Sequence, residues 1–268
     1  MKRNTGSLLL PTCAAAVLAA MPASTAYAHT AYMLPNVFVA NLEQQITVQS
    51  SFAEDFFRPE VAVDSDDWHV VLPDGSRGEF ENVAQHRQIV ILESPIEAEG
   101  TYRFTSGVRH GRKSTQALVN GEWETVRGDE IPAEATETRT SQTETVSDVY
   151  VSKKAPTRAP VDVRIGRLLV QPLTHPSDVY LDSEFELAVL FDGQPMAGHA
   201  VSIDRSGSEY DEEKFHEEIT TGEDGRLSLS FDQPGIYVLM TRHRADAPDG
   251  AESDIRSYTT SLTFEVQR

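Results

Sequence analysis

Cysteine is almost absent from this sequence, and its single thiol, Cys13, lies in an apolar segment near the start. From residue 29 onwards the chain therefore has neither a disulfide nor a cysteine nucleophile. Basic residues are also scarce, with 23 Lys and Arg against 42 Asp and Glu and a formal net charge of −19. Because proteins bind nucleic acids through Lys and Arg that neutralise phosphates, we expect no nucleic-acid partner.

Long apolar runs are equally scarce, and the most prominent one covers residues 8–20. Lys2 and Arg3 precede it, and the small-residue pattern Ala-Tyr-Ala follows at 26–28. This order is typical of a secretory signal peptide, so we predict cleavage after Ala28 and a periplasmic or secreted product. No later run approaches the ~18 apolar residues that a membrane helix needs, so we expect no membrane span after cleavage.

Catalytic signatures are missing as well. The sequence has no Gly-x-Ser-x-Gly motif, no His-Glu-x-x-His motif and no glycine-rich phosphate loop. A Ser-His-Asp site assembled from distant loops leaves no signature in a sequence. We therefore assign no catalytic residues and expect a protein that is not an enzyme.

Short stretches of alternating apolar and polar residues recur from residue 29 onwards. In the stretch 46–52, for example, Ile46, Val48 and Phe52 fall on one face of a strand. Such stretches, separated by Asp-Gly and similar turns, predict an all-β protein. We expect two immunoglobulin-like β-sandwich domains, 29–127 and 161–268, after the signal peptide 1–28. Thr, Glu, Ser and Lys dominate the intervening 128–160, which predicts an irregular linker or draped loop with a candidate short strand at 146–151.

Cleavage after residue 28 would make His29 the first residue of the mature chain. A terminal histidine offers its α-amine and its imidazole, which together can chelate Ni(II), Co(II) or Cu(II). We predict a metal site at His29 that is completed by at least one further histidine or carboxylate, with His86, His110 and His243 as the candidate histidines at or near strand ends. Both nitrogens must lose their protons, so binding should weaken as the pH falls. The alternative is a frayed, solvated N-terminus without a metal.

A small basic patch stands out in this acidic chain, where Arg242 and Arg244 flank His243. Such a patch holds an anion or balances nearby carboxylates, and the excess of acidic residues favours the second interpretation.

Three segments of the chain resemble a known family. They are 28–35 (AHTAYMLP), 128–136 (GDEIPAEAT) and 173–178 (LTHPSD), the last followed by a DGQP turn. These segments resemble secreted bacterial proteins of unknown function that are often described as the periplasmic component of cobalt or nickel uptake systems. Tyr32 stands where that family usually has Trp. The resemblance implies β-sandwich domains of the immunoglobulin-like or carboxypeptidase-regulatory-like type. It also implies a role in handling nickel or cobalt, with the metal ion and a membrane metal transporter as expected partners.

Two other functions stay open on the sequence alone. A copper-dependent enzyme acting on polysaccharides can also bind its metal through an N-terminal histidine on a β-sandwich. That reading requires a second histidine within reach of His29 and a flat, exposed aromatic face. The third possibility is a binding or adaptor module without any metal.

Overall fold

The computed structural model describes residues 29–128, 130–211 and 215–268, without the side chain of Glu209. The predicted signal peptide, residues 1–28, lies outside the described residues. Nearly all of the regular secondary structure in the described part is β-strand, which confirms the all-β prediction, and none of its helices is long and apolar enough to cross a membrane. The elements in chain order are β1 (Thr30–Pro35), β2 (Val39–Ala40), β3 (Gln45–Ala53), β4 (His69–Val71), β5 (Arg77–Gly78), β6 (Asn82–Gln85), β7 (Val90–Pro95), β8 (Gly100–Thr105), β9 (Arg109–His110), β10 (Ser114–Val119), β11 (Glu122–Thr125), β12 (Glu137–Lys153), α1 (Ala159–Asp162), β13 (Leu168–Pro172), β14 (Phe185–Phe191), β15 (Gln194–Pro195), β16 (Ala200–Arg205), a 3-10 turn (Ser208–Tyr210), β17 (His216–Thr220), β18 (Arg226–Leu229), β19 (Gly235–Asp246) and β20 (Ile255–Val266).

Three sheets contain the strands of the described residues. The first has the order β1-β3-β7-β6, and the third joins β14 to β13, β15 and β18. The large sheet between them has the order β17-β16-β19-β20-β12-β8-β4-β5. β2, β9 and β10 also pair with β12, and β11 pairs with β10. The large sheet therefore runs through both halves of the chain, with β12 at its centre.

The first sheet packs against β4, β8 and β12 to enclose an N-terminal core. In β7, Val90 and Leu92 are fully buried whereas Ile91 and Glu93 are half-buried, because alternate residues of a strand point to opposite faces. Each fully buried apolar side chain contributes about 1.5–3 kcal/mol to stability. Further members of this core are Met33, Ile46, Val48, Val70, Ile96, Tyr102, Phe104, Val149 and Val151.

A second core lies between the third sheet and strands β16, β19 and β20. Phe185, Leu187 and Val189 alternate along β14 and are completely buried. Further members of this core are Leu168, Val170, Val201, Ile203, Leu229, Tyr237, Leu239, Leu262 and Phe264. Each half thus has one core, but the large sheet contributes a wall to both cores, so the halves are not the two separate sandwiches 29–127 and 161–268 that the sequence predicts.

The prediction of an irregular segment at 128–160 is wrong over the 17 residues of β12. This strand pairs in parallel with β20, from Ser141–Ile255 to Val149–Thr263, and antiparallel with β8. From residue 144 to residue 152 its polar side chains are buried rather than solvated, because partners distant in sequence satisfy them. Glu144 Oε2 accepts a hydrogen bond from Arg256 at 3.0 Å, for instance. One sheet therefore joins the two predicted domains where a linker was expected.

A tight contact beside the N-terminal core gives a testable prediction on stability. Gly107 has a φ of +60°, and a Cβ there would lie 2.3 Å from the carbonyl oxygen of Asp67. We expect Gly107→Ala to lower the free energy of unfolding by roughly 2–4 kcal/mol, through backbone strain and overpacking. Gly121→Ala is the matched control, because Gly121 also has positive φ but has nothing within 4 Å of the added Cβ. Equal losses for the two variants in urea unfolding would contradict the packing argument.

Candidate functional site

Strand β1 fixes the start of the described chain against the large sheet. Ala31, Tyr32 and Met33 are completely buried, and the Ser261 hydroxyl donates a hydrogen bond of 2.6 Å to the Ala31 carbonyl. Apolar β-strand residues bury both faces when they lie between two sheets, which explains this anchoring. His29 precedes the strand and is exposed, so it lies at a defined place on the surface.

The imidazole of His29 has a partner in Glu60. Its Nε2 lies 2.6 Å from Glu60 Oε2, while Glu60 Oε1 accepts the backbone N–H of Glu54 at 3.0 Å. The Glu54 N–H first, and then the contact with His29, hold the pKa of Glu60 below its usual range despite some desolvation. An ionised carboxylate only accepts hydrogen bonds, so Nε2 is the donor in this pair. The neutral ring then carries its lone pair on Nδ1.

The free nitrogen of His29 is therefore the one nearer its own backbone. Nδ1 and the α-amine of the same residue can close a chelate ring on one metal ion, whereas Nε2 points too far away to do so. Carboxylates that accept a hydrogen bond from the remote nitrogen of a metal-binding histidine are a common feature of metal sites, because they fix the tautomer and the ring orientation.

The other predicted histidines lie elsewhere. His243 is on the opposite face of β19 from Arg242 and Arg244, since strand residues alternate, and its ring contacts Phe191 and His199 at centroid distances of 4.6 and 5.7 Å. Desolvation, and then the charge of Arg167, lower the pKa of His243.

His110 is paired with Glu144, at 3.4 Å from Nε2 to Oε2, and His86 is exposed in the turn after β6. Among the described residues, no group of three His, Cys, Asp or Glu is close enough together to hold a metal ion. The structure thus brings Glu60 to His29, and it brings none of the three predicted histidines there.

Two pockets flank the start of β1, and both are lined by Thr30 and Arg242. The first, which we call the acidic pocket, has a volume of about 330 Å³ and lies between the loop after β3 and strands β16, β17 and β19. Its wall includes an Asp204–His216 pair, with 3.0 Å between Oδ1 and Nδ1. Its ionisable lining residues are Glu54, Asp204, His216, Glu218 and Arg242.

The second, which we call the arginine pocket, has a volume of about 290 Å³ and is lined by His29, Arg109, Arg242 and Arg244 together with many hydroxyl side chains. Its floor spans three neighbouring strands, β19, β20 and β12, and each arginine of β19 begins a cross-strand row with two hydroxyls. The two rows are Arg242–Thr259–Thr145 and Arg244–Ser257–Thr143.

Sequence reasoning missed the meaning of this basic patch. Arg242 and Arg244 were expected to balance nearby carboxylates, but neither forms an ion pair with a carboxylate in the part of the chain that the structure describes. The Arg-x-Arg spacing could have predicted part of this arrangement, because residues two apart on a strand lie on the same face of the sheet. The hydroxyls directly opposite them belong to Thr259 and Ser257 of β20, whereas the outer hydroxyls of the two rows come from the Ser/Thr-rich segment that looked like a linker.

A family match covers most of this site, although it ends before the β20 residues of the arginine pocket. The family described as a domain of unknown function (DUF4198) matches residues 26–245, which include His29, Glu60, Arg242 and Arg244. The chain belongs to this family. A comparison of this DUF4198 protein with curated proteins found no match.

Several solved structures are distantly similar to this DUF4198 chain. Trypsin-activated alpha-2-macroglobulin from Escherichia coli is 11% identical, with a TM-score of 0.23 over 88% of this chain and 16% of that one. The same protein activated by porcine elastase is 9% identical, with a TM-score of 0.24 over 88% and 20%. The D0-D1 domain of intimin is 10% identical, with a TM-score of 0.22 over 89% and 97%. This chain spans a fifth or less of the length of the alpha-2-macroglobulin chains, and similarity at this level says nothing about what it binds.

Proposed function

We propose that the mature protein, beginning at His29, binds one late first-row divalent ion and handles nickel or cobalt in the periplasm. The amine and Nδ1 of His29 would form the chelate. The observation that carries the proposal is the 2.6 Å contact between His29 Nε2 and Glu60, because it leaves Nδ1 as the nitrogen without a proton. In this role the ion is cargo, to be passed to a membrane metal transporter.

A copper-dependent enzyme is the less favoured alternative. It would require a second histidine beside His29, and the structure places His86, His110 and His243 in other surroundings. The site therefore offers two nitrogens from one residue and leaves the remaining coordination positions to solvent or to small ligands. Such a partly open site suits an ion that must be released again.

The proposal is tested by calorimetric titration of Ni(II), Co(II) and Cu(II) into mature protein whose first residue is His29. We expect one ion per chain for the natural sequence and loss of this site in His29→Ala. Glu60→Gln should weaken binding about 10- to 100-fold, as loss of an orienting partner typically does. The matched control is Glu99→Gln, because Glu99 is an exposed carboxylate that pairs with Lys154 instead.

Two results would contradict the proposal. The first is unchanged stoichiometry and affinity in His29→Ala, which would mean that any metal binds elsewhere. The second is the absence of binding by the natural mature chain, which would favour an adaptor module without a metal. A uniform loss in Glu60→Gln and Glu99→Gln would instead attribute the effect to the general negative field of the protein.

A further inference from the structure

The arginine pocket is a concave, positively charged site in a strongly acidic protein. The chain has 42 Asp and Glu, yet none of the described residues that line this pocket is acidic. One of its cations, Arg109, is already neutralised, because its guanidinium is bonded to Asp64. Arg242 and Arg244 remain, and within the part of the chain that the structure describes only the Nε of Arg242 is engaged, by donating to the Thr259 hydroxyl at 3.1 Å. Their charge is therefore available to a ligand.

The two cations influence each other. Desolvation by the pocket walls, and then the like charge of Arg244, lower the pKa of Arg242. A guanidinium nevertheless stays charged at neutral pH, so the pocket holds two unneutralised positive charges side by side. Like charges at this separation repel each other, and an anion between them would remove that cost.

The spacing of the rows indicates the class of anion. Arg242 and Arg244 are two residues apart on one strand, so their Cα atoms are separated by roughly 6.6 Å. Each guanidinium can bind a carboxylate through two parallel hydrogen bonds. The hydroxyls of Thr259, Ser257 and Thr143 lie in the same two rows and supply further donors and acceptors. A volume of about 290 Å³ suits a small molecule.

We infer that the arginine pocket binds a small organic dianion with two carboxylates, one held by Arg242 and the other by Arg244. The hydroxyl rows of β12 and β20 complete the site by bonding the outer oxygens of the ligand. Inorganic phosphate can carry the same charge, but its oxygens surround one phosphorus atom. It therefore cannot place one anionic group at each arginine, and we expect it to bind less tightly. This site does not depend on a metal at His29, although His29 lies at its edge.

The test is calorimetric titration of succinate into the mature protein at low ionic strength without added metal. We expect saturable binding of one succinate per chain, about tenfold tighter than binding of propionate or inorganic phosphate. Arg242→Gln and Arg244→Gln should each weaken succinate binding roughly 10- to 100-fold, and added salt should also weaken it. Arg226→Gln is the matched control, because it removes an exposed arginine that pairs with Asp224 outside the pocket.

Arg244→Gln is the decisive variant, because Arg244 makes no described hydrogen bond whose loss would disturb the fold, and an unchanged melting temperature would verify this. The inference is overturned if the natural protein shows no saturable succinate binding, or if Arg244→Gln binds as tightly as Arg226→Gln. Tighter binding of phosphate than of succinate would overturn the dicarboxylate assignment. Because the titration contains no added metal, saturable succinate binding under these conditions is also the expected sign that the anion site is independent of the metal site, and a requirement for added Ni(II) would overturn that claim.

Discussion

Acetylation of the α-amine of His29 is expected to weaken Ni(II) binding on the order of a hundredfold. An acetylated nitrogen is an amide and no longer a metal ligand, so the chelate opens and only the imidazole remains. The second nitrogen of a chelate binds at a high effective concentration, and that advantage disappears with it. Because Glu60 occupies Nε2, the ring has no second free nitrogen to compensate.

Acetylation is a sharper test than adding one or two residues, because a histidine at the second or third position can form a different chelate with backbone nitrogens. The modified protein is compared by calorimetry with the natural mature chain and with His29→Ala, which keeps its amine but lacks the ring. Electron paramagnetic resonance of the Cu(II) complex should show two nitrogen ligands in the natural chain and fewer after acetylation. Equal Ni(II) affinities of the natural and acetylated chains would refute the chelate.

Replacing Asp148 by Asn is expected to lower the free energy of unfolding by about 3–5 kcal/mol, as breaking a buried ion pair does. The Arg103 and Asp148 side chains are each 5% exposed, and the guanidinium bonds both carboxylate oxygens, at 3.0 and 2.6 Å. Burial is the largest single influence on the pKa of Arg103 and would lower it, but the charge of Asp148, the neighbouring Tyr150 and the hydrogen bonds to Asp148 together outweigh burial and raise the pKa. In Asp148→Asn the buried guanidinium would lose its anionic partner and would keep only neutral contacts among the described residues, such as the Val163 carbonyl and the Tyr150 ring.

Urea unfolding measures this loss, and Glu79→Gln is its control, because Glu79 is 72% exposed in its pair with Arg77. Exposed pairs contribute about 0–1 kcal/mol, so the control should be nearly neutral. A double variant, Arg103→Met with Asp148→Leu, should recover much of the stability, since well-packed apolar residues can replace a buried pair. A loss below 1 kcal/mol for Asp148→Asn would mean that water reaches the Arg103 guanidinium.

The alternating strands of the two cores were predictable, and the centre of the large sheet was not. Ile46 and Val48 point inward as their spacing indicates, because a period of two needs no knowledge of the partner strand. The same reasoning fails for strand β12, because its Glu144 and Asp148 would be predicted to be exposed. They are buried because they pair with Arg256 and Arg103, which are distant in the sequence. A polar side chain is expected to be exposed only when water supplies its hydrogen bonds, and not when another residue of the protein does.

The candidate site likewise has one part that the sequence predicts and another part that only the fold reveals. The small-residue pattern before His29 pointed to this histidine from the sequence, whereas its partner Glu60 lies 31 residues further on and reaches it only through the fold. Alternation along β19 separates His243 from Arg242 and Arg244, a distinction the sequence already contained. That these arginines lack carboxylate partners among the described residues is a property of the assembled sheet and not of local sequence.

The parallel pairing of β12 with β20 has a consequence for the order of events during biosynthesis. The paired Ser147 and Ser261 are 114 residues apart in the chain, and closing such long loops is slow compared with forming hairpins. Until that distant segment has been synthesised and has docked, one edge of β12 lacks its partner β20, and the hydroxyl rows lack their middle strand. Ligand binding by the arginine pocket would therefore become possible only after the last part of the polypeptide has reached its place in the sheet.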